Sequence, residues 1–207
     1  KKYKRIFIIG SSHHVRLQGA AVYTSGDFLT PLGIVTVDTA FCEQLAVDYP
    51  DLFTADSQAH RAEHSIEVQL PFLQHLLGNN FVIIPMIIGT SRPAVCKRIA
   101  EVLSPYVREE NLFVISTDFS HYPPYNLAVE TDARTKDAIL TNDPDVLLRT
   151  IQHNESSGIP GLATCLCGWT SVLTLLYMTN GNKMLNYVPI DYKNSGDDPV
   201  YGEREQV

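Results

Sequence analysis

The segment Arg5-Ile6-Phe7-Ile8-Ile9-Gly10-Ser11-Ser12-His13-His14 sets four apolar residues in a row, closes them with a glycine and then turns polar. An apolar run without alternation is what a strand needs when both of its faces are covered, because neither row of side chains meets water. Ser11-Ser12-His13-His14 then forms the loop at that strand's carboxyl end. The pattern recurs twice. Phe81-Val82-Ile83-Ile84-Pro85-Met86-Ile87-Ile88-Gly89 leads into a helix expected over 92–107, where Val95, Ile99, Val102 and Leu103 keep helical spacing. Leu112-Phe113-Val114-Ile115-Ser116 runs into Thr117-Asp118-Phe119-Ser120-His121 before a Pro123-Pro124 turn.

Strands alternating with helices predict an α/β sandwich with a largely parallel central sheet and helices on both faces. Further helices are expected over 128–140, 145–152 and 168–178, and further strands over 33–38 and 184–190. Residues 65–77 read as an amphipathic helix that Pro71 should kink. Residues 193–202, which include Asn194-Ser195-Gly196-Asp197-Asp198-Pro199, read as a loop ahead of a last strand that the sequence does not contain. Since the first strand also opens almost at residue 1, the expectation is one domain over 1–207 that lacks an N-terminal segment and its last C-terminal strand.

Composition narrows the function classes. At 207 residues, 44% hydrophobic and 19% charged, the chain suits a single globular domain. Sixteen Lys and Arg against 23 Asp and Glu leave a formal charge of −7 with no basic stripe, which argues against a nucleic-acid partner. The longest apolar stretches fall short of the roughly 18–20 residues of a membrane span. Only four apolar residues follow Lys1-Lys2-Tyr3-Lys4-Arg5 before Gly10, which is not the make-up of a signal peptide. Four cysteines, two of them one residue apart, disfavour a disulfide framework, and a reducing cytoplasm is the expected setting.

In open α/β sheets, ligands collect beyond the carboxyl ends of the strands, because loops from several strands converge there. Four clusters qualify. His13-His14 offers imidazoles that bind metal or shuttle protons, or that simply cap a helix. In Asp118-Phe119-Ser120-His121, a carboxylate and an imidazole three residues apart suit general-base work with the acid orienting the ring; an N-cap Asp and a surface His read equally well. Helical spacing in Glu63-His64-Ser65-Ile66-Glu67 puts His64 and Glu67 on one face, fit for substrate contact or for bracing a loop. Val68 stands where a zinc protease needs its second histidine. In Thr164-Cys165-Leu166-Cys167-Gly168, a following helix favours a thiolate at Cys167, as nucleophile or soft metal ligand, while Cys165 reads as core. His60, His75 and His153 stand in polar or surface-looking contexts without an assigned role.

Taken together and in chain order, the first segment, Glu63-His64-Ser65-Ile66-Glu67 with Gln69-Leu70-Pro71, Asp118-Phe119-Ser120-His121 and Cys167-Gly168 resemble the Memo family, also described as AmmeMemoRadiSam system protein B. The resemblance covers nearly the whole chain. It implies a fold similar to class III extradiol dioxygenases, non-haem iron enzymes that open catechol rings. It also implies a pocket in which His13 and Cys167 hold the metal, His121 is the catalytic histidine with Asp118 beside it, and His14, His64 and Glu67 line the walls. The family pattern adds a histidine in an Ala-Pro-His-Ala-Gly segment upstream of the first strand. Within these residues the site is thus expected to be one ligand short, with iron or copper absent or weakly held. A thiolate in place of the dioxygenases' carboxylate favours copper(I), zinc or thiolate-bound iron.

Two functions from different classes follow. One is a metal-dependent redox enzyme, dioxygenase-like, acting on a small phenolic or heteroaromatic molecule. The other is a non-catalytic binding or signalling module that recognises a peptide or metabolite in the same cleft; Arg16 is the one arginine close to the first cluster in sequence. A third reading makes Cys167 a nucleophile with His121 as its base. His13, Asp118, His121 and Cys167 are expected to share one cleft.

Overall fold

A computed structural model describes residues 2–207, so Lys1 of the basic lead-in lies outside the described residues. The elements run β1 (Arg5–Ser11), β2 (Ala20–Val22), β3 (Phe28–Thr30), β4 (Gly33–Val37), α1 (Thr39–Asp48), β5 (Phe53–Ala55), α2 (Leu70–Leu77), β6 (Val82–Ile88), α3 (Pro93–Leu103), β7 (Asn111–Ile115), α4 (Tyr125–Leu140), α5 (Pro144–Ser156) and α6 (Trp169–Thr179). The sheet order is β3-β4-β6-β1-β7, with β2 and β5 paired off this path. β1 lies parallel to both β6 and β7, and β4 parallel to β6. Among the described strands, only the pairs β3–β4 and β2–β6 are antiparallel. The chain is therefore an α/β protein with a mostly parallel mixed sheet.

The first two apolar runs, β1 and β6, lie inside that sheet, and the third, β7, forms its edge beside β1 with all five residues only partly buried. Ile6, Phe7, Ile8, Ile9, Ile83, Ile84, Met86 and Ile87 are each 0% exposed, so both faces of β1 and β6 are covered. Each such side chain contributes roughly 1.5–3 kcal/mol of burial, which outweighs the low strand preference of the proline among them. Pro85 is tolerated for a positional reason. Its carbonyl faces the edge where β6 changes partner, from β4 at Ile83 to β2 at Met86, and accepts from Tyr23 N–H at 3.2 Å. The missing N–H points into that change-over and leaves no acceptor waiting. Across the β1–β7 pair, Phe7 stacks on Phe113 with ring centroids 4.5 Å apart.

Several expectations need correction. Residues 184–190 are not a strand: Met184 is 88% and Ile190 91% exposed, and among the described residues no strand pairs with β7 on its outer side. The outer edge of β7 stays free among the described residues, so apolar residues alone do not bring this segment onto it as a strand. Residues 65–77 do not form one kinked helix. A 3-10 turn, Glu67–Gln69, precedes α2, and Pro71 sits in the first turn of α2, where a missing N–H costs no hydrogen bond. The helix expected over 92–107 ends at Leu103 and tightens into a 3-10 turn, Ser104–Tyr106, at Pro105. His60 is not a surface residue; it is 8% exposed, with Nε2 3.1 Å from the Ala21 carbonyl oxygen, and burial lowers its pKa. No helix among the described residues is long and apolar enough to cross a membrane.

Candidate functional site

β1 and β7 are neighbours, paired through Ile9 and Ile115, so the loops that leave their carboxyl ends emerge side by side. The chemistry-bearing residues gather there as two groups.

The first group forms around Glu63, whose side chain is only 1% exposed. His13 donates its backbone N–H to Oε2 at 2.7 Å, and its ring Nδ1 lies 2.9 Å from Oε1. The N–H groups of His64 and Ser65 donate to Oε1 at 2.9 and 3.0 Å. Burial pushes the carboxyl pKa up, but the hydrogen bonds from His13 and Ser65 outweigh it and hold the value at about 2. In the tautomer that carries its proton on Nδ1, toward the carboxylate, the ring's free lone pair is on Nε2. His64 stacks on His13 with ring centroids 5.2 Å apart. Glu63 could join both histidines as a metal ligand by distance. Its oxygens are already engaged by three backbone N–H groups and a ring, which makes it the group that orients His13.

The second group joins the end of β7 to the start of α6. Asp118 N–H donates to Cys167 Sγ at 3.2 Å, while Cys167 N–H donates to the Asp118 carbonyl at 3.1 Å. Gly168 N–H donates to Thr117 Oγ1 at 2.8 Å. His121 is fixed by a two-way backbone bridge with 163–164: its N–H donates to Thr164 O at 3.0 Å and its carbonyl accepts from Ala163 N–H at 3.1 Å. The left-handed Tyr122 (φ 73°) turns the chain directly after it. The result puts a carboxylate oxygen of Asp118, a ring nitrogen of His121 and Cys167 Sγ within 4.8 Å of one another, although Asp118 and His121 share no direct hydrogen bond.

Of the residues expected from sequence, Asp118, His121 and Cys167 come together, and His13 meets His64. His14 is exposed and lines, with His13, a cavity of about 580 Å³. Asp118 and His121 open instead into a cavity of about 440 Å³ walled by Tyr192, Lys193 and Asn194. Glu67 is exposed and begins the 3-10 turn apart from the His13 group. The helical spacing that pairs it with His64 does not apply, since residues 63 and 64 are not helical.

Three functional positions escape sequence reasoning. Glu63 stood in the right cluster but outside the assumed helical pairing. Thr117 brackets the Cys167 turn. Asp132, 3% exposed on α4, accepts from Ser120 N–H at 2.9 Å and from Tyr192 Oη at 2.7 Å, tying the His121 loop to the wall of its cavity. No local sequence signal marks either Thr117 or Asp132.

Comparison with known proteins agrees over the full span. A family model described as Memo-like protein matches residues 1–206. A "MEMO1 family protein" of Thermoplasma acidophilum is 31% identical over 202 residues, covering 97% of this chain and 70% of its own length. One from Methanosarcina barkeri is 34% identical over 194 residues, covering 91% and 68%. One from Aquifex aeolicus is 32% identical over 211 residues, covering 99% and 72%. Among solved structures, an uncharacterized protein from Escherichia coli K12 superposes with a TM-score of 0.57 at 18% identity, over 86% of this chain and 75% of that one.

Proposed function

The chain belongs to the Memo-like family, and from that premise we propose that it is a metal-binding redox protein acting on a small phenolic or heteroaromatic molecule at the ends of β1 and β7. One observation carries the reading: nitrogen, oxygen and sulfur donors from His121, Asp118 and Cys167 converge within 4.8 Å. Bonds of roughly 2.0–2.3 Å let a first-row ion span donors at about this separation, so the donor set fits a metal. The thiolate favours copper(I), zinc or thiolate-bound iron over the hard divalent cations.

Cys167, with Asp118 and His121 within 4.8 Å of it, would hold the ion; His13, which gathers with Glu63 and His64 instead, is a ligand only by the family resemblance. When bound, such an ion supplies Lewis acidity and, as iron or copper, a redox couple. The chain's own contribution is positioning. Tyr192 and Lys193 limit the depth to which a substrate enters. The four thiols are all free, which accords with work in a reducing cytoplasm.

The test is anaerobic titration of the purified protein with Fe(II), Cu(I) and Zn(II), followed by O2 uptake with a series of catechols. Stoichiometric uptake of one ion that fails in Cys167→Ser is the expected result, with substrate-dependent O2 consumption that disappears in His121→Ala. No stoichiometric metal at micromolar concentration would overturn the reading.

A further inference from the structure

The cavity in front of His13 is built from two loops, one between β1 and β2 and one between β6 and α3, with Arg16 on the first and Arg92 on the second. The loops are fastened together. Gly89 N–H donates to Gly19 O at 3.0 Å, and Nη2 of Arg92 donates to the Gln18 carbonyl and to Gln18 Oε1 at 3.3 and 3.1 Å. Both of those bonds use one terminal nitrogen of Arg92, so the other two nitrogens of its fork stay available. Neither arginine has a carboxylate partner among the described residues, whereas Arg5 and Arg98 are paired with Asp38 and Asp51.

Charge makes this cavity unlike the rest of the molecule. The chain carries a formal −7, yet the lining holds two arginines and two histidines and no acidic side chain. Val15 and Leu17 supply an apolar flank, and about 580 Å³ is ample for a molecule of one ring. An arginine fork matches carboxylate and phosphate oxygens with two parallel N–H bonds. We propose that this cavity is an anion subsite: Arg16 and Arg92 take the carboxylate or phosphate head of a small molecule and aim its body at His13. The substrate class becomes a small organic acid or phosphate ester. The direction of the ligand rests on the reading of His13 as part of the reacting site, while head-group binding stands without it.

The experiment uses the purified chain in EDTA, so that metal uptake plays no part. Benzoate, phenyl phosphate and neutral benzamide are titrated by calorimetry, and His13 ring signals are followed by NMR. Saturable binding of benzoate or phenyl phosphate is expected, and the tighter of the two names the head group. Affinity should fall roughly tenfold or more in Arg16→Gln and in Arg92→Gln and stay unchanged in Arg98→Gln, which lies outside the cavity. Arg92→Lys, which keeps the charge but not the fork, should give an intermediate loss and guards against a folding defect in the glutamine variant. Benzamide binding as tightly as benzoate, or unchanged affinity in either glutamine variant, would overturn the anion subsite. Anion binding without a shift of the His13 ring signals would overturn the direction of the ligand. Failure of the metal titration leaves these outcomes as they are, so the two readings fall separately.

Discussion

Replacing Glu63 by Gln removes one charge from the centre of the His13 group while keeping the shape of the side chain. The amide also turns a donor toward the N–H groups of His13, His64 and Ser65, which now offer hydrogens to a group that cannot accept them all. The native carboxyl is held at about 2 instead of 4.5, a difference that corresponds to about 3 kcal/mol of stability at neutral pH. Four hydrogen bonds to a charged acceptor, at about 1.5–3 kcal/mol each, overshoot that figure; the cost of burying the carboxylate accounts for the difference. Because the folded pKa is depressed, the contribution is complete above about 4.5 and is lost as pH falls toward 2, at about 1.4 kcal/mol per pH unit. Urea unfolding of metal-free wild type and Glu63→Gln at pH 7, 5, 4 and 3 measures this directly. The wild type should lead by about 2–3 kcal/mol at pH 7, with the gap unchanged at pH 5 and narrowing below 4.5. A gap under roughly 0.5 kcal/mol at pH 7, or one that does not respond to pH, would refute the reasoning.

Three more outcomes are expected. Iodoacetamide on the folded protein at pH 8 should place a single label, on half-exposed Cys167, because burial pushes the thiols of Cys42, Cys96 and Cys165 up to about 12, 11 and 11; peptide mass mapping that finds Cys165 labelled first contradicts this. Gly161→Ala should cost about 1–3 kcal/mol, since φ is +74° and a Cβ there would stand 2.5 Å from the Tyr122 carbonyl oxygen; a melting temperature equal to wild type would show that the turn after His121 is not constrained as described. Tyr192→Phe removes the bond to buried Asp132 and should lower stability by about 1–3 kcal/mol while speeding tryptic cleavage after Lys193. Cleavage at the wild-type rate would mean that the wall of the His121 cavity is held by something else.

The sequence is a good guide wherever one element's chemistry is self-contained. β1 and β6 announce themselves because a strand covered on both faces has no polar row, β7 because its apolar run is of the same kind although at the sheet edge its residues stay only partly buried, and helices α3 to α6 because their apolar spacing is helical throughout. The short strands β2, β3 and β5 pass unnoticed: Ala20–Val22 is three residues long and owes its burial to partners distant in sequence. The same distinction governs the site. Asp118, His121 and Cys167 stand out as reactive types at strand ends. Glu63 does not, because its role depends on a turn that folds its carboxylate beneath His13, fifty positions away. His60 misleads for the opposite reason: a polar neighbourhood in sequence becomes a buried contact with β2.

The two groups are joined by a seam of small residues. Ser171 of α6 donates to the Gly10 carbonyl at 2.9 Å, and its Oγ lies 3.3 Å from Ser11 Oγ. Ser65, two residues beyond Glu63, donates to the Ser11 carbonyl at 3.2 Å and sits where any Cβ on Gly10 would have to go. A Cβ on Gly168 would stand 2.5 Å from Thr117 Oγ1 and 3.1 Å from Ser11 Oγ. The ends of β1 and β7, the Glu63 turn and the start of α6 therefore approach more closely than side chains of ordinary size permit. That approach is what places Cys167 against Asp118 and Glu63 against His13 at the same end of the sheet. It also couples them physically, since Ser11 touches the Glu63 turn on one side and the Cys167 turn on the other. A change that widens the seam must displace at least one of the two groups, whichever ligand each of them serves.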